Sequence, residues 1–207
     1  SINLVGVNNV LLYQKEEIRN SDVKDKILYV CPHLSTGGQP QYALKQAETF
    51  SQKYEVHLVE YETISVSYNV QKNKIKDLLG DRYYCLGEDK AGLLNLIDRI
   101  KPNVIHFQEV PEHFVREDIA LKIFNHDRAY KIICTTHSSQ TSPEHLVYIP
   151  DKFVLVSEWS KHQFVNRLGL DIPLEVWEYP IGNLRTVSKH AARKALGLDN
   201  GFKHVLN

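Results

Sequence analysis

The sequence predicts an α/β domain: a doubly wound, predominantly parallel sheet with helices on both faces. Three observations point there. From Lys26 onward, short β-branched runs alternate with longer amphipathic stretches, as in a chain of strand–helix crossovers. Several runs are continuously apolar, the pattern of strands covered on both faces rather than one. The chain has 207 residues, 43% of them hydrophobic, enough for one sizeable core or for one domain and a fragment of another.

The elements follow in order. Residues 1–25 sit outside the alternation and read as an extra strand and a charged linker. Ile27–Cys31 is the first apolar run of the alternation, and Gln41–Gln52 the first helix, with Tyr42, Ala43, Leu44, Ala47 and Phe50 at roughly helical spacing. Glu55–Tyr61 and Tyr83–Leu86 read as strands on either side of a helix at Val70–Leu79. The next helix, Lys90–Lys101, carries Leu93, Leu94, Leu96, Ile97 and Ile100 on one stripe. Val104–Gln108 precedes a helix at Val115–Asn125. Lys131–Thr136 and Phe153–Ser157 are the next strands, followed by a helix at Glu158–Arg167 and a last strand at Leu174–Glu178. After Tyr179-Pro180 the pattern is irregular through Asn183. It restarts with a short helix at Ser188–Leu196, ending at Gly197, and a new apolar segment opens at His204-Val205-Leu206. The expected organisation is an N-terminal extension over 1–25, the α/β domain over 26–185, and a linker with the truncated start of a second domain over 186–207. The absence of any Met and the end at Asn207 give the expectation of an excised or incomplete sequence.

Composition narrows the function classes. Lys and Arg total 25, as do Asp and Glu, so no global field favours nucleic acid, and no nucleic-acid partner is expected. The longest apolar runs reach about five residues, against the roughly 20 that a bilayer span needs. Ser1–Leu12 lacks the basic start and sustained apolar core of a signal peptide, and a cytoplasmic location is expected. Cys31, Cys85 and Cys134 are widely spaced, each in or beside a β-like run, and read as buried reduced thiols.

Right-handed crossovers bring the C-terminal ends of parallel strands to one rim, where such sheets bind ligands. The residues just after each apolar run therefore matter most. Between the first strand and first helix lies Cys31-Pro32-His33-Leu34-Ser35-Thr36-Gly37-Gly38-Gln39-Pro40-Gln41. Paired glycines open backbone conformations closed to other residues and leave room for a ligand. Successive N–H groups beside a helix N-terminus favour phosphate or sugar oxygens. A tight strand-to-helix turn with Pro40 near the first helical position accounts for the same residues. The loop has neither G-x-G-x-x-G nor a Gly-Lys-Ser/Thr ending, which argues against an ordinary NAD enzyme or P-loop NTPase.

Thr135-Thr136-His137-Ser138-Ser139 follows the fifth run of the alternation. His137 there can donate to a hydroxyl, exchange a proton or bind metal, or sit as a surface residue in a polar loop. Glu109 emerges at the end of Val104–Gln108, as an acceptor-binding acid or a solvated one. Ser157 is a candidate N-cap, with Ser160 bonding nearby. His33, His106 and His137 all fall near strand ends and raise a metal-hydrolase alternative. That alternative lacks H-x-H, H-E-x-x-H and matching aspartates, and His106 can instead point into a helix–sheet interface.

Four segments carry a family resemblance: HLSTGGQPQYALKQAE at 33–48, KPNVIHFQE at 101–109, TTHSS at 135–139 and FVLVSEWSKHQF at 153–164. In that order they resemble the N-terminal domain of retaining GT-B glycosyltransferases of the glycogen-synthase-like group (glycosyltransferase family 4-like), across about residues 26–185. ARKALGL at 192–198 is similar to the segment leading into that family's C-terminal domain. The resemblance implies a Rossmann-like domain, the N-terminal half of a GT-B fold, facing a second domain across a cleft. It implies transfer of a glycosyl group from a nucleotide-sugar donor to a carbohydrate, lipid or other hydroxyl acceptor, with retention at the anomeric carbon. By that analogy His137 is the catalytic residue approaching the donor sugar. Gly37, Gly38 and Ser138 bind donor phosphate or sugar, and Glu109 and Gln41 receive the acceptor. No cofactor and no metal are expected, because leaving-group charge is met by an Arg/Lys pair and helix-end dipoles of the other domain. A lipid acceptor would bring the protein to the inner face of a membrane.

The resemblance therefore implies half an active site and a chain inactive alone. Its missing C-terminal domain would be the main partner. A homodimer is the other expectation, through the open cleft face or an orphaned strand at Lys203–Leu206. The alternative of a different class is a non-catalytic α/β module that binds carbohydrate or nucleotide.

Overall fold

A computed structural model describes residues 2–7, 10–15, 24–35, 37–63, 69–137, 146–168, 172–179, 188–195 and 197. Two strands, β1 (Ile2–Val7) and β2 (Val10–Lys15), pair antiparallel as a separate two-stranded sheet, with Val7 opposite Val10. One strand was expected over 1–25, and two are present. The sequence does carry the signal, two β-prone runs separated only by Asn8-Asn9.

The main sheet holds β3 (Lys26–Cys31), β4 (Glu55–Glu60), β5 (Tyr83–Cys85), β6 (Val104–Phe107), β7 (Lys131–Thr136), β8 (Lys152–Leu155) and β9 (Leu174–Val176). All seven run parallel, in the order β5-β4-β3-β6-β7-β8-β9. The winding reverses between β3 and β6, so the topological switch point, where open sheets of this kind leave a crevice, lies at their C-terminal ends. This is a Rossmann-like doubly wound fold.

The helices are α1 (Gly38–Phe50), α2 (Val70–Leu79), α3 (Gly92–Ile100), α4 (Glu117–Ile123), α5 (Glu158–Leu168) and α6 (Lys189–Ala195). Alternate strand residues separate two cores. Ile27, Tyr29 and Cys31 pack with Ala43, Leu44, Ala47 and Phe50 of α1 and with Ile75 and Leu79 of α2. Leu28, Val30, Ile105, Phe107, Ile132 and Cys134 face the opposite way. They meet Leu93, Leu96, Ile97 and Ile100 of α3, Ile119 and Ile123 of α4, and Phe164 of α5. Both faces are dry, which is why these strands read as unbroken apolar runs.

Several bounds move. Helix α1 starts at Gly38 rather than Gln41, because Pro40 fits a first turn whose N–H groups have no helical partner. Helix α3 stops at Ile100, since Lys101 takes a left-handed conformation with φ 51°. Helix α4 is shorter than Val115–Asn125 and is preceded by a 3₁₀ turn at Pro111–His113. Ser157 is an N-cap: its Oγ accepts from Ser160 N at 3.1 Å, at the start of α5. All three cysteines are free, but Cys85 is exposed, against the expectation that all are buried, because it lies on the edge strand β5. The irregular stretch at 181–183 and the apolar segment Lys203–Leu206 lie outside the described residues. Among the described residues no helix is long and apolar enough to cross a membrane.

Candidate functional site

The site is built at the C-terminal ends of β3, β6 and β7. After β3, the loop to α1 is held from below by Glu60, whose Oε1 accepts from Leu34 N at 3.0 Å. Glu60 is 1% exposed, and its other oxygen accepts from Tyr83 OH at 2.7 Å and Lys72 Nζ at 2.6 Å. Although burial pushes its acidity the other way, these donors hold the carboxyl below its ordinary range. In the same loop Ser35 Oγ and His33 Nδ1 are 2.8 Å apart.

Gly37 precedes α1 with φ 111° and ψ −175°, in the left-handed half of backbone space that a side chain strains to enter. Gly37, the N-cap, has no side chain and gives this end of α1 no capping bond. A Cβ on Gly37 would meet nothing within 4 Å. One on Gly38 would come within 3.2 Å of the Tyr179 hydroxyl. Among the described residues no atom fills the space beside Gly37, whereas beside Gly38 it is filled by the phenol of Tyr179.

His137 follows β7 directly. Its backbone N donates to Glu109 Oε2 at 3.2 Å, and its Nδ1 lies 2.7 Å from Tyr179 OH. Among the described residues its Nε2 is buried without a hydrogen-bond partner. Tyr42 of α1 packs edge-on against both rings, with centroids 5.1 Å from His137 and 5.0 Å from Tyr179. Burial holds the His137 imidazole down at about 4, so it is neutral at pH 7. The same cause, with Glu109 second, pushes the Tyr179 phenol up.

Behind the rim, His106 is fully buried on β6, with Nε2 2.7 Å from Thr135 Oγ1 and its ring 5.7 Å from Trp177. Burial, and then His137 nearby, lower it to about 3. It does point into the interface beneath α1. Among the described residues no group of three or more His, Cys, Asp or Glu side chains could hold a metal ion.

The strand-end residues singled out by sequence thus meet. Gly38 touches Tyr179, Tyr179 bonds His137, and His137 bonds Glu109. Glu109 is more occupied than the sequence suggested: its Oε1 accepts from Val110 N at 3.0 Å, so both oxygens already take backbone donors. Gln41 is turned to α2, accepting from Gln71 Nε2 at 3.3 Å, and no bond links it to His137 or Glu109 among the described residues. Ser138 lies outside the described residues.

Sequence reasoning missed Tyr42, Tyr179 and Glu60. Tyr42 was visible only as part of an apolar stripe, and Glu60 only as a polar strand end. Compared with known proteins, the chain matches no family model and no curated protein.

Proposed function

We propose that this chain is the acceptor-side domain of a glycosyltransferase that uses a nucleotide-sugar donor and a hydroxyl acceptor. The observation that supports it best is the convergence at the sheet's C-terminal rim of a helix N-terminus that opens at Gly38, with no capping bond from its N-cap Gly37, and a neutral His137. The N–H groups at the start of α1 suit phosphate or sugar oxygens. A neutral imidazole with one nitrogen unengaged suits a sugar hydroxyl, since it exchanges a hydrogen bond without bringing charge. Tyr42 and Tyr179 supply aromatic surface beside it. Retention of anomeric configuration, and a second domain that grips the donor, come into this reading from the family resemblance of the four segments.

In this reading the glycosyl group leaves its nucleoside diphosphate and bonds to the acceptor oxygen, and the hydroxyl proton leaves with the phosphate. His137 would bind and orient the sugar. Glu109 would fix the His137 backbone and keep lone pairs for an acceptor hydroxyl, because each carboxylate oxygen can accept more than one donor.

The test is a titration of the purified chain with a panel of nucleotide sugars, free nucleotides and glycosides, with transfer followed as glycoside formation in the complete polypeptide. His137→Ala is expected to lower transfer about 100-fold, a larger effect than the loss of its packing has on stability. Equal kinetics for the folded variant and the unsubstituted protein would remove His137 from the reaction. Binding of a glycoside or nucleotide with no transfer in the complete polypeptide would favour a binding module.

A further inference from the structure

We propose that Tyr179 is the positioning residue of His137: its hydroxyl donates to Nδ1, fixes the imidazole as the Nε2–H tautomer and leaves that buried N–H, without a partner among the described residues, as the donor for a ligand. The ligand for that donor, a sugar hydroxyl, rests on the reading above; the tautomer does not.

The argument is one of hydrogen-bond supply. A phenol carries a single hydrogen, and a neutral imidazole has one donor and one acceptor nitrogen. Among the described residues the Tyr179 hydroxyl has one hydrogen-bond partner, His137 Nδ1, at 2.7 Å. A Cβ on Gly38 would lie 3.2 Å from that hydroxyl, and carbon offers no acceptor. If Nδ1 carried the proton, both the phenol hydrogen and the buried Nε2 lone pair would be left unpaired among the described residues, whereas in the opposite tautomer only the Nε2 N–H is. Tyr42 does not compete for either group, because its hydroxyl is donated to the Trp177 carbonyl at 3.1 Å.

The route of the chain supports a positioning role. Trp177 N donates to Leu155 O at 2.9 Å, continuing the β8–β9 pairing, and two residues later the chain reaches Tyr179. Tyr42, from α1, holds the carbonyl in between and packs against both rings. The phenol is thus anchored by β9 and α1, neither of which supplies His137. Gly38 completes the fit, since a Cβ there would crowd both the hydroxyl and the ring edge.

Nitrogen-15 spectra of the chain labelled at histidine read the tautomer directly, and His137→Gln identifies the signals by their loss. At neutral pH the unsubstituted protein is expected to show a protonated Nε2 and an unprotonated Nδ1. Removing one hydrogen bond of ordinary strength, by Tyr179→Phe, should lower the ratio of the two tautomers about 5-fold. Gly38→Ala should act in the same direction by pushing the phenol off Nδ1, and it provides the test if Tyr179→Phe fails to fold.

A protonated Nδ1 in the unsubstituted protein overturns the proposal, and so does an unchanged ratio in a folded variant. The nucleotide-sugar titration decides separately. An Nε2–H tautomer that depends on Tyr179, with no nucleotide sugar bound, upholds the positioning role and sinks the glycosyltransferase reading. Nucleotide-sugar binding with a protonated Nδ1 does the reverse.

Discussion

Acid should destabilise this domain well above the carboxylate range, and His106 is the residue through which to measure it. The folded protein holds His106 at about 3, against an ordinary 6.5, because the ring is fully buried and His137 adds repulsion. The unfolded chain binds a proton near pH 6.5 and the folded chain does not. Between those two values the unfolded state therefore binds more protons, and stability falls as pH falls. Integrated from pH 7.5 to pH 5, one such histidine costs about 2 kcal/mol. His137, held at about 4, contributes in the same direction, and so does His57, lowered chiefly by burial. Most carboxylates are still ionised at pH 5, so the loss above that pH belongs to the histidines. The assay is urea unfolding at half-unit steps of pH for the unsubstituted chain and His106→Gln, whose amide can still meet Thr135 Oγ1. The variant starts less stable, but its fall between pH 7.5 and 5 should be smaller by about 2 kcal/mol. Identical falls in the two proteins would refute a buried neutral His106.

Two further outcomes follow from the loop beneath the site. Glu60→Gln leaves Lys72, only 12% exposed at its side chain, without its countercharge, and should cost about 3 kcal/mol in urea unfolding; a cost below about 1 kcal/mol would mean that water already screens the pair. Gly37→Ala meets no described atom within 4 Å but must hold φ 111°, so thermal unfolding should register about 2 kcal/mol of backbone strain. A neutral result would mean that the loop relaxes to another backbone conformation.

The strands were legible because each is covered on both faces, which leaves the period-2 signal out and writes an apolar run instead. Lys131–Thr136 and the helix at Val70–Leu79 appear with the bounds the pattern predicts. Ends were less legible where a single backbone conformation decides them. Lys101 looks helical by composition, yet its left-handed φ ends α3. The N-terminal segment holds two paired strands where one was expected, because its two β-prone runs are separated by only two residues, Asn8-Asn9.

The strand-end rim was legible for the same reason as the strands, since parallel connections bring every C-terminal end to one side. Gly37, Glu109 and His137 could be found by position alone. What each does there was not legible, because function at the rim is set by long-range contacts that leave no periodicity. Tyr179 lies 42 residues from His137 and beyond the last strand of the pattern. Glu60 looks like a solvated strand end in the sequence, and is buried because a lysine from the next helix and a tyrosine from the neighbouring strand close over it.

The two glycines carry this point furthest. In sequence they form one motif, and both suggest a close approach by a ligand. In the fold they separate: Gly37 is required by its backbone angle, and Gly38 by the phenol of Tyr179, which a Cβ there would crowd at 3.2 Å. The close approach is made by the protein's own tyrosine, the same hydroxyl that engages His137. A ligand that reaches the N-terminal N–H groups of α1 therefore has its room over Gly37. A ligand that displaced that hydroxyl would take from His137 Nδ1 the partner it has among the described residues.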